Sequence, residues 1–381
     1  MADLAARHLG AGVVAASDDA FGPKELLVSP GEVSFVPGRF DHKGEVVDGW
    51  ETRRRRSPGY DWAIVRLGLP GVIRTVDVDT TSFAGNAPAT CRIEACGADG
   101  FPAPGQLADW RTIVPRTPLV PDAHNVLAVE DPRRWTHVRL CVEPDGGIGR
   151  LRVDGEPVPD PRLFDGLTVD LVGQETGGKV LSATDDFYSS PEALLRPDRA
   201  RTMGEGWETR RRRDGRHDTV VFKLGVTGVP QLVELDTTHF VYNASAQAEV
   251  WFCCAPGDPD ESALAWEPLL ERVALQPDTR HRFRVEGRPA THLRLDVYPD
   301  GGMARVRVLG PLTDDGRQQL GLRWFNTMPA GQLVELLSEL PPSVAQAIAT
   351  ARPLVDVASG VAAAGTDTGV ERLLASLLLG R

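Results

Sequence analysis

The strongest constraint on this chain is that it contains one module twice. The octapeptide GWETRRRR fills residues 49–56 and returns at 206–213. Sliding the chain by 157 positions and comparing 49–86 with 206–243 gives 19 identities in 38 positions, without a gap. Farther on, THVRLCVEPDGGIGRLRVDG at 136–155 meets THLRLDVYPDGGMARVRVLG at 291–310, with 13 identities in 20. A period of this length is a whole domain rather than a solenoid unit of roughly 20–50 residues. The expected organisation is module one at 1–160, module two at 161–312 and a tail at 313–381. Ala16, Ser17, Asp18 and Asp19 meet Ala183, Thr184, Asp185 and Asp186. The first residues therefore read as part of the fold, although the apolar run at 9–16 has a faint signal-peptide character.

Within each module the runs at 63–67, 74–78, 91–95 and 138–142 are short and rich in β-branched residues. Several alternate apolar with polar side chains, as half-buried strands do. The chain has 39 Gly and 30 Pro, many of which separate these runs at turn-like intervals. PDGG at 144–147 and 299–302 is a turn signal, and the runs around it predict a hairpin. Helical crossovers are missing from the pattern, so a parallel doubly wound sheet is excluded. An all-β pair of antiparallel jelly-roll sandwiches is expected. The tail differs. Gln332, Leu333, Leu336, Leu337 and Leu340 fit helical spacing, as do 343–350 and 369–379, with breaks expected at Pro341, Pro342, Pro353 and Gly360.

Composition narrows the function. A net charge of −11 disfavours general attraction to nucleic acid or anionic lipid, and no apolar stretch reaches the roughly 18 residues of a membrane span. The five cysteines include no CxxC spacing, which suits reduced thiols in the cytoplasm. Neither a GxSxG elbow nor a phosphate-binding loop occurs. HxH and HExxH spacings are absent too. No cofactor is therefore indicated, with a divalent metal held by distant residues as the open alternative.

The arginine run is the most informative motif. On an extended chain Glu51, Arg53 and Arg55 share one face, and Thr52, Arg54 and Arg56 the other. A covered arginine needs a carboxylate partner. One reading is a bidentate clamp for an anionic ligand. The other is an internal Arg–acid lattice with Glu51, Asp61, Asp79 and their copies as partners. The adjacent carboxylates Asp18–Asp19 and Asp185–Asp186 offer a general base or merely cap turns.

These motifs resemble the allantoicase family. The residues that carry the likeness are ASDDAF (16–21), DGWETRRRR (48–56), DWAIVRLGLPGVI (61–73), VDVDTTSFAGNAP (76–88), IEAC (93–96) and EPDGGIGRLRVDG (143–155). The second copy departs at Thr219, where the first has Trp62, and at Tyr242, where the first has Gly85. The resemblance implies tandem jelly-roll modules akin to galactose-binding sandwiches and a homo-oligomer. It also implies hydrolysis of allantoate to ureidoglycolate and urea, in allantoin degradation. A non-catalytic ligand-binding sandwich is the alternative, though aromatic residues are only 6%. In the tail, residues 322–356 resemble the opening helices of the ureidoimidazoline (OHCU) decarboxylase. The HPDL-type segment bearing that family's catalytic histidine is missing, so that activity is not expected.

For a small ureido monoanion, Arg53 or Arg55 suits the carboxylate. Glu51 and Asp18 are expected as the acid–base pair. Asp79 and Asn86 match the ureido groups, and Glu208, Arg210, Asp236 and Asn243 are the counterparts in the second copy.

Overall fold

The computed structural model describes all residues except 258, 261, 262, 366 and 367. They form two compact units. One holds Met1–Val158, Trp324–Leu354 and Ala358–Val370; the other holds Pro159–Arg323, Val355–Val357 and Glu371–Arg381.

The first unit is organised by one long strand, Asp61–Asp79. Its first half pairs with Gly12–Ala16 and Arg134–Glu143, with Val65 opposite Val13 and Val138. Its second half pairs with Arg150–Pro157 and His124–Ala128, with Val76 opposite Val153 and Leu127. The strand therefore leaves one sheet and joins the other midway, around Gly68 and Gly71. A Cβ on Gly68 would lie 2.6 Å from the Leu9 carbonyl oxygen, so a side chain there would block the crossing. Thr90–Cys96 and Arg111–Pro118 extend the first sheet, and Ala2–Asp3 closes the second. Alternate residues of both layers, among them Val65, Val76, Val78, Ile93, Val138, Leu140, Leu151 and Val153, fill the core between them. This is the antiparallel sandwich that the alternation predicts.

The second unit builds the same layers separately. Lys179–Ala183, Asp218–Gly228, Ala290–Tyr298, Gln247–Cys253 and Glu267–Ala274 form a five-stranded sheet. Val169–Asp170, Arg305–Gly310, Leu232–Asp236 and Arg280–Arg284 form a four-stranded one. Here the long strand is interrupted between Gly228 and Leu232.

Two expectations need correction. PDGG does not join a hairpin. The strands before and after it pair with the two halves of Asp61–Asp79, and Gly147–Ile148 turns aside to pair with Trp50–Glu51. Gly146 takes φ +145°, and a Cβ on Gly147 would sit 2.0 Å from the Phe83 ring, so glycine is required at both positions. In the tail, Gly360 does not end a helix but lies buried inside Val357–Ala364. The tail also contains Asp314–Thr327, Ala330–Leu336, Pro342–Thr350 and Thr368–Leu379. Asp314–Thr327 escaped the periodicity because Gly316 and Gly321 dilute it. Both glycines allow close packing, since Cβ atoms there would meet the Thr227 and Leu378 carbonyl oxygens at 2.1 and 2.4 Å.

Asp3 ties the first strand down by accepting the Ala5 and Val153 N–H groups at 3.0 and 2.9 Å. Burial pushes its carboxyl up to about 6 from 3.8, against the pull of those N–H groups and Arg152. The protonated form is thus the one the fold favours. That stability is fully present below pH 3.8 and is lost as pH rises through about 6. Asp3→Asn keeps the acceptor and removes the charge. It should raise Tm at pH 8 and leave it near the parental value at pH 4, as differential scanning calorimetry will read.

Candidate active site

Trp50 is fully buried, and its indole N–H donates to the Asp18 carbonyl at 2.8 Å. The next residue, Glu51, pairs across to Gly147 and Gly22 and turns its side chain to the mouth of the module. There a cleft of about 660 Å³ is lined by Phe21, Glu51, Thr52, Arg53, Arg54, Arg56, Gly85, Asn86 and Asp145, among others. Glu51 Oε1 accepts a hydrogen bond from Asn86 Nδ2 at 2.9 Å. Burial pushes the Glu51 carboxyl above its ordinary value, and the Asn86 bond draws it part of the way back. A neutral carboxyl can give a proton, and its conjugate base can take one.

The arginine run is not the expected strand, which stops after Glu51. Side-chain carboxylates end the ladder by taking the next backbone N–H groups. Asp18 Oδ1 accepts from Arg53 at 2.9 Å, and Asp145 Oδ2 accepts from Arg55 at 2.8 Å. The Arg55 guanidinium turns inward onto Asp61 at 2.8 Å and the Tyr60 carbonyl at 3.2 Å. Arg55 is thus a lattice member rather than a cleft fork. Arg53 lines the cleft, with its Nε 3.5 Å from Asp18.

Two further expectations are corrected by geometry. Asp18 is not on the cleft surface. Its Oδ1 also accepts from the Ala20 N–H at 3.1 Å, so the carboxylate holds the loop. Asp79 is buried and caps the following turn through the Thr81 N–H at 2.8 Å. Asp236 does the same with the Thr238 N–H at 2.9 Å. Arg54, Arg56, Phe21 and Asp145 are lining residues the sequence reading did not single out as site residues. Thr52, Arg54 and Arg56 line the cleft together with Glu51 and Arg53, so the two faces that strand alternation separates meet in one cleft.

The second module repeats the frame. Trp207 Nε1 donates to the Asp185 carbonyl at 2.9 Å, and Glu208 Oε1 accepts from Asn243 Nδ2 at 2.6 Å. Arg210 lies 3.4 Å from Asp185 and stacks 4.3 Å over the Phe187 ring. The surroundings differ. The Met203 sulfur lies 3.2 Å from Asn243 Nδ2. The neighbouring cavity is lined by Asp185, Arg210–Arg213, Asp214 and Asp218 and does not reach Glu208 or Asn243. Tyr242 stands where Gly85 leaves open space, and is 97% exposed. Among the described residues no group of three or more His, Cys, Asp or Glu side chains stands ready to hold a metal ion.

Duplicated antiparallel sandwiches, one with a carboxylate–carboxamide pair in an arginine-rimmed cleft, define the class. Comparison with known proteins narrows it. A model of the allantoicase repeat matches residues 2–158 and 169–313. A protein of Nocardia farcinica described as "Probable allantoicase" is 48% identical over 316 residues, 81% of this chain and 94% of its own. One of Streptomyces coelicolor with the same description is 45% identical over 338 residues, 84% of this chain and 88% of its own. The crystal structure of allantoicase from Saccharomyces cerevisiae superposes with a TM-score of 0.69 at 30% identity, covering 81% of this chain and 92% of that one. The chain belongs to the allantoicase family.

Asn86→Leu removes the bond that holds the Glu51 carboxyl down, so its titration should move to higher pH. Carboxyl-carbon NMR of the variant checks this, and an unmoved or lowered titration contradicts it.

Proposed function

We propose that this chain hydrolyses allantoate to ureidoglycolate and urea, and that the first module's cleft does the work. Family membership supports the reaction. The observation that carries the site is Glu51, half-buried, held by Asn86 and open to a cleft of small-ligand size.

The chemistry needs only one carboxyl group. Allantoate bears two ureido groups on one carbon. Neutral Glu51 gives its proton to the departing ureido nitrogen, and the carbon–nitrogen bond breaks with its electron pair leaving on urea. The lone pair of the remaining ureido nitrogen fills in at carbon. Water then attacks that carbon, and the Glu51 carboxylate takes the water's proton. One proton leaves Glu51 and one returns, so the net change is addition of water across the broken bond. Raising the carboxyl by burial keeps the acid form available nearer neutrality. Asn86 orients the group and presents an amide to the flat ureido moiety. Asp18 acts at one remove, by holding the loop that carries Arg53.

The first copy is favoured because the Met203 thioether sits on Asn243 beside Glu208 in the second. No metal enters this reading. It includes a homo-oligomer, and a cytoplasmic setting suits the five free cysteines. No helix of the described residues is long and apolar enough to cross a membrane.

Incubating the pure chain with allantoate should release urea and ureidoglycolate in equal amounts. Exhaustive chelation should leave the rate unchanged, and kcat should fall as pH rises through the elevated Glu51 value. A chain that releases no urea contradicts the reaction, and activity lost to chelator and restored by a metal contradicts the metal-free route.

A further inference from the structure

The four arginines of each copy divide by position into two kinds. The first and third are tied to duplicated acids. Arg53 lies 3.5 Å from Asp18 and Arg210 3.4 Å from Asp185. Arg55 lies 2.8 Å from Asp61 and Arg212 2.7 Å from Asp218. Their backbone N–H groups are taken as well, by Asp18 and Asp145 in one copy and by Asp185 and Asp300 in the other. The second and fourth are Arg54, Arg56, Arg211 and Arg213. Among the described residues, no ion pair or side-chain hydrogen bond engages their guanidinium groups. The fold therefore accounts for half of the run and leaves the other half unexplained.

In the first module those two unexplained arginines line the same cleft as Glu51 and Asn86. Guanidinium groups with no internal acid keep their full donor set for a ligand, and their planar forks match a carboxylate. In a chain of net charge −11, a rim of this kind also gathers small anions locally.

We propose that Arg54 and Arg56 form the subsite for the substrate's carboxylate, while Arg53 and Arg55 hold the loop that presents them. This rests on the reading of the first cleft as an allantoate site. It also names a chemical class the cleft should prefer: small α-ureido carboxylates over their uncharged amides.

Two readouts on the full chain test the subsite. The first is steady-state kinetics of Arg54→Ala and Arg56→Ala with allantoate. A charge-assisted bond lost from both ground and transition state should raise KM by about 10-fold or more in each variant, leaving kcat within about threefold. Tm should stay parental, and Arg211→Ala should leave KM unchanged. Arg55→Ala should instead lower Tm, because it strips the buried Asp61 of its partner. The second readout is thermal protection by N-carbamoylglycine, which carries one ureido group and one carboxylate, against its uncharged amide. The acid should raise the Tm of the parental chain and not that of the Arg54→Ala/Arg56→Ala double variant, and the amide should raise neither. Parental KM in both single variants of a working enzyme overturns the subsite, as does equal protection by acid and amide. A parental chain that releases no urea fails the functional reading alone. The subsite is then judged by the protection data, and no protection of the parental chain overturns it.

Discussion

The site depends on one buried anchor. Trp50 lies wholly in the sandwich core, and its N–H is fixed on the Asp18 carbonyl. Removing such a side chain costs on the order of 3–5 kcal/mol, so the position is strongly held. Everything functional is counted from it. Glu51 follows on a two-residue strand against Gly147–Ile148, and the arginine loop follows Glu51. The Asp18 that receives the indole through its carbonyl receives the Arg53 N–H through its carboxylate. Core packing and loop geometry thus meet at one aspartate, and Trp207 with Asp185 repeats the device in the second module.

That device explains how a sandwich of rigid sheets can carry a charged cleft without unfolding. Four adjacent guanidinium groups repel one another. The lattice neutralises alternate members with two acids, Asp18 from well upstream and Asp61 from six residues on, and leaves the intervening ones to the cleft. Glu51 experiences the opposite treatment: it is half-buried with an amide partner, and among the described residues no cation sits on its oxygens, so its proton is held more tightly. The same loop therefore holds a carboxyl whose proton is favoured and guanidinium groups that no internal acid engages among the described residues.

Much of this was legible in the sequence. The duplication, the all-β modules and the helical tail were written in repeats and periodicity, and Glu51 and Asn86 were selected by recurring with Glu208 and Asn243. Alternation did not carry through the arginine run, because the strand stops at Glu51 and both of its supposed faces line one cleft. What the sequence could not supply was which face meets solvent. That depends on where Asp61 lies relative to Arg55, six residues and a chain reversal away. The sequence also could not show that Asp18 and Asp79 accept backbone N–H groups, because a carboxylate that does so looks in sequence like one that faces a ligand. The PDGG hairpin failed for a related reason: a turn signal fixes a local bend and not the partner of the strands on either side.

Module asymmetry is the part of the account most exposed to test. Paired variants, Glu51→Gln and Glu208→Gln, made in otherwise identical full chains and assayed for urea release from allantoate, address it directly. The account predicts that the first loses at least about 100-fold in kcat with an unchanged Tm, and that the second keeps parental turnover. Full activity in Glu51→Gln, or an equal loss in both, would contradict it.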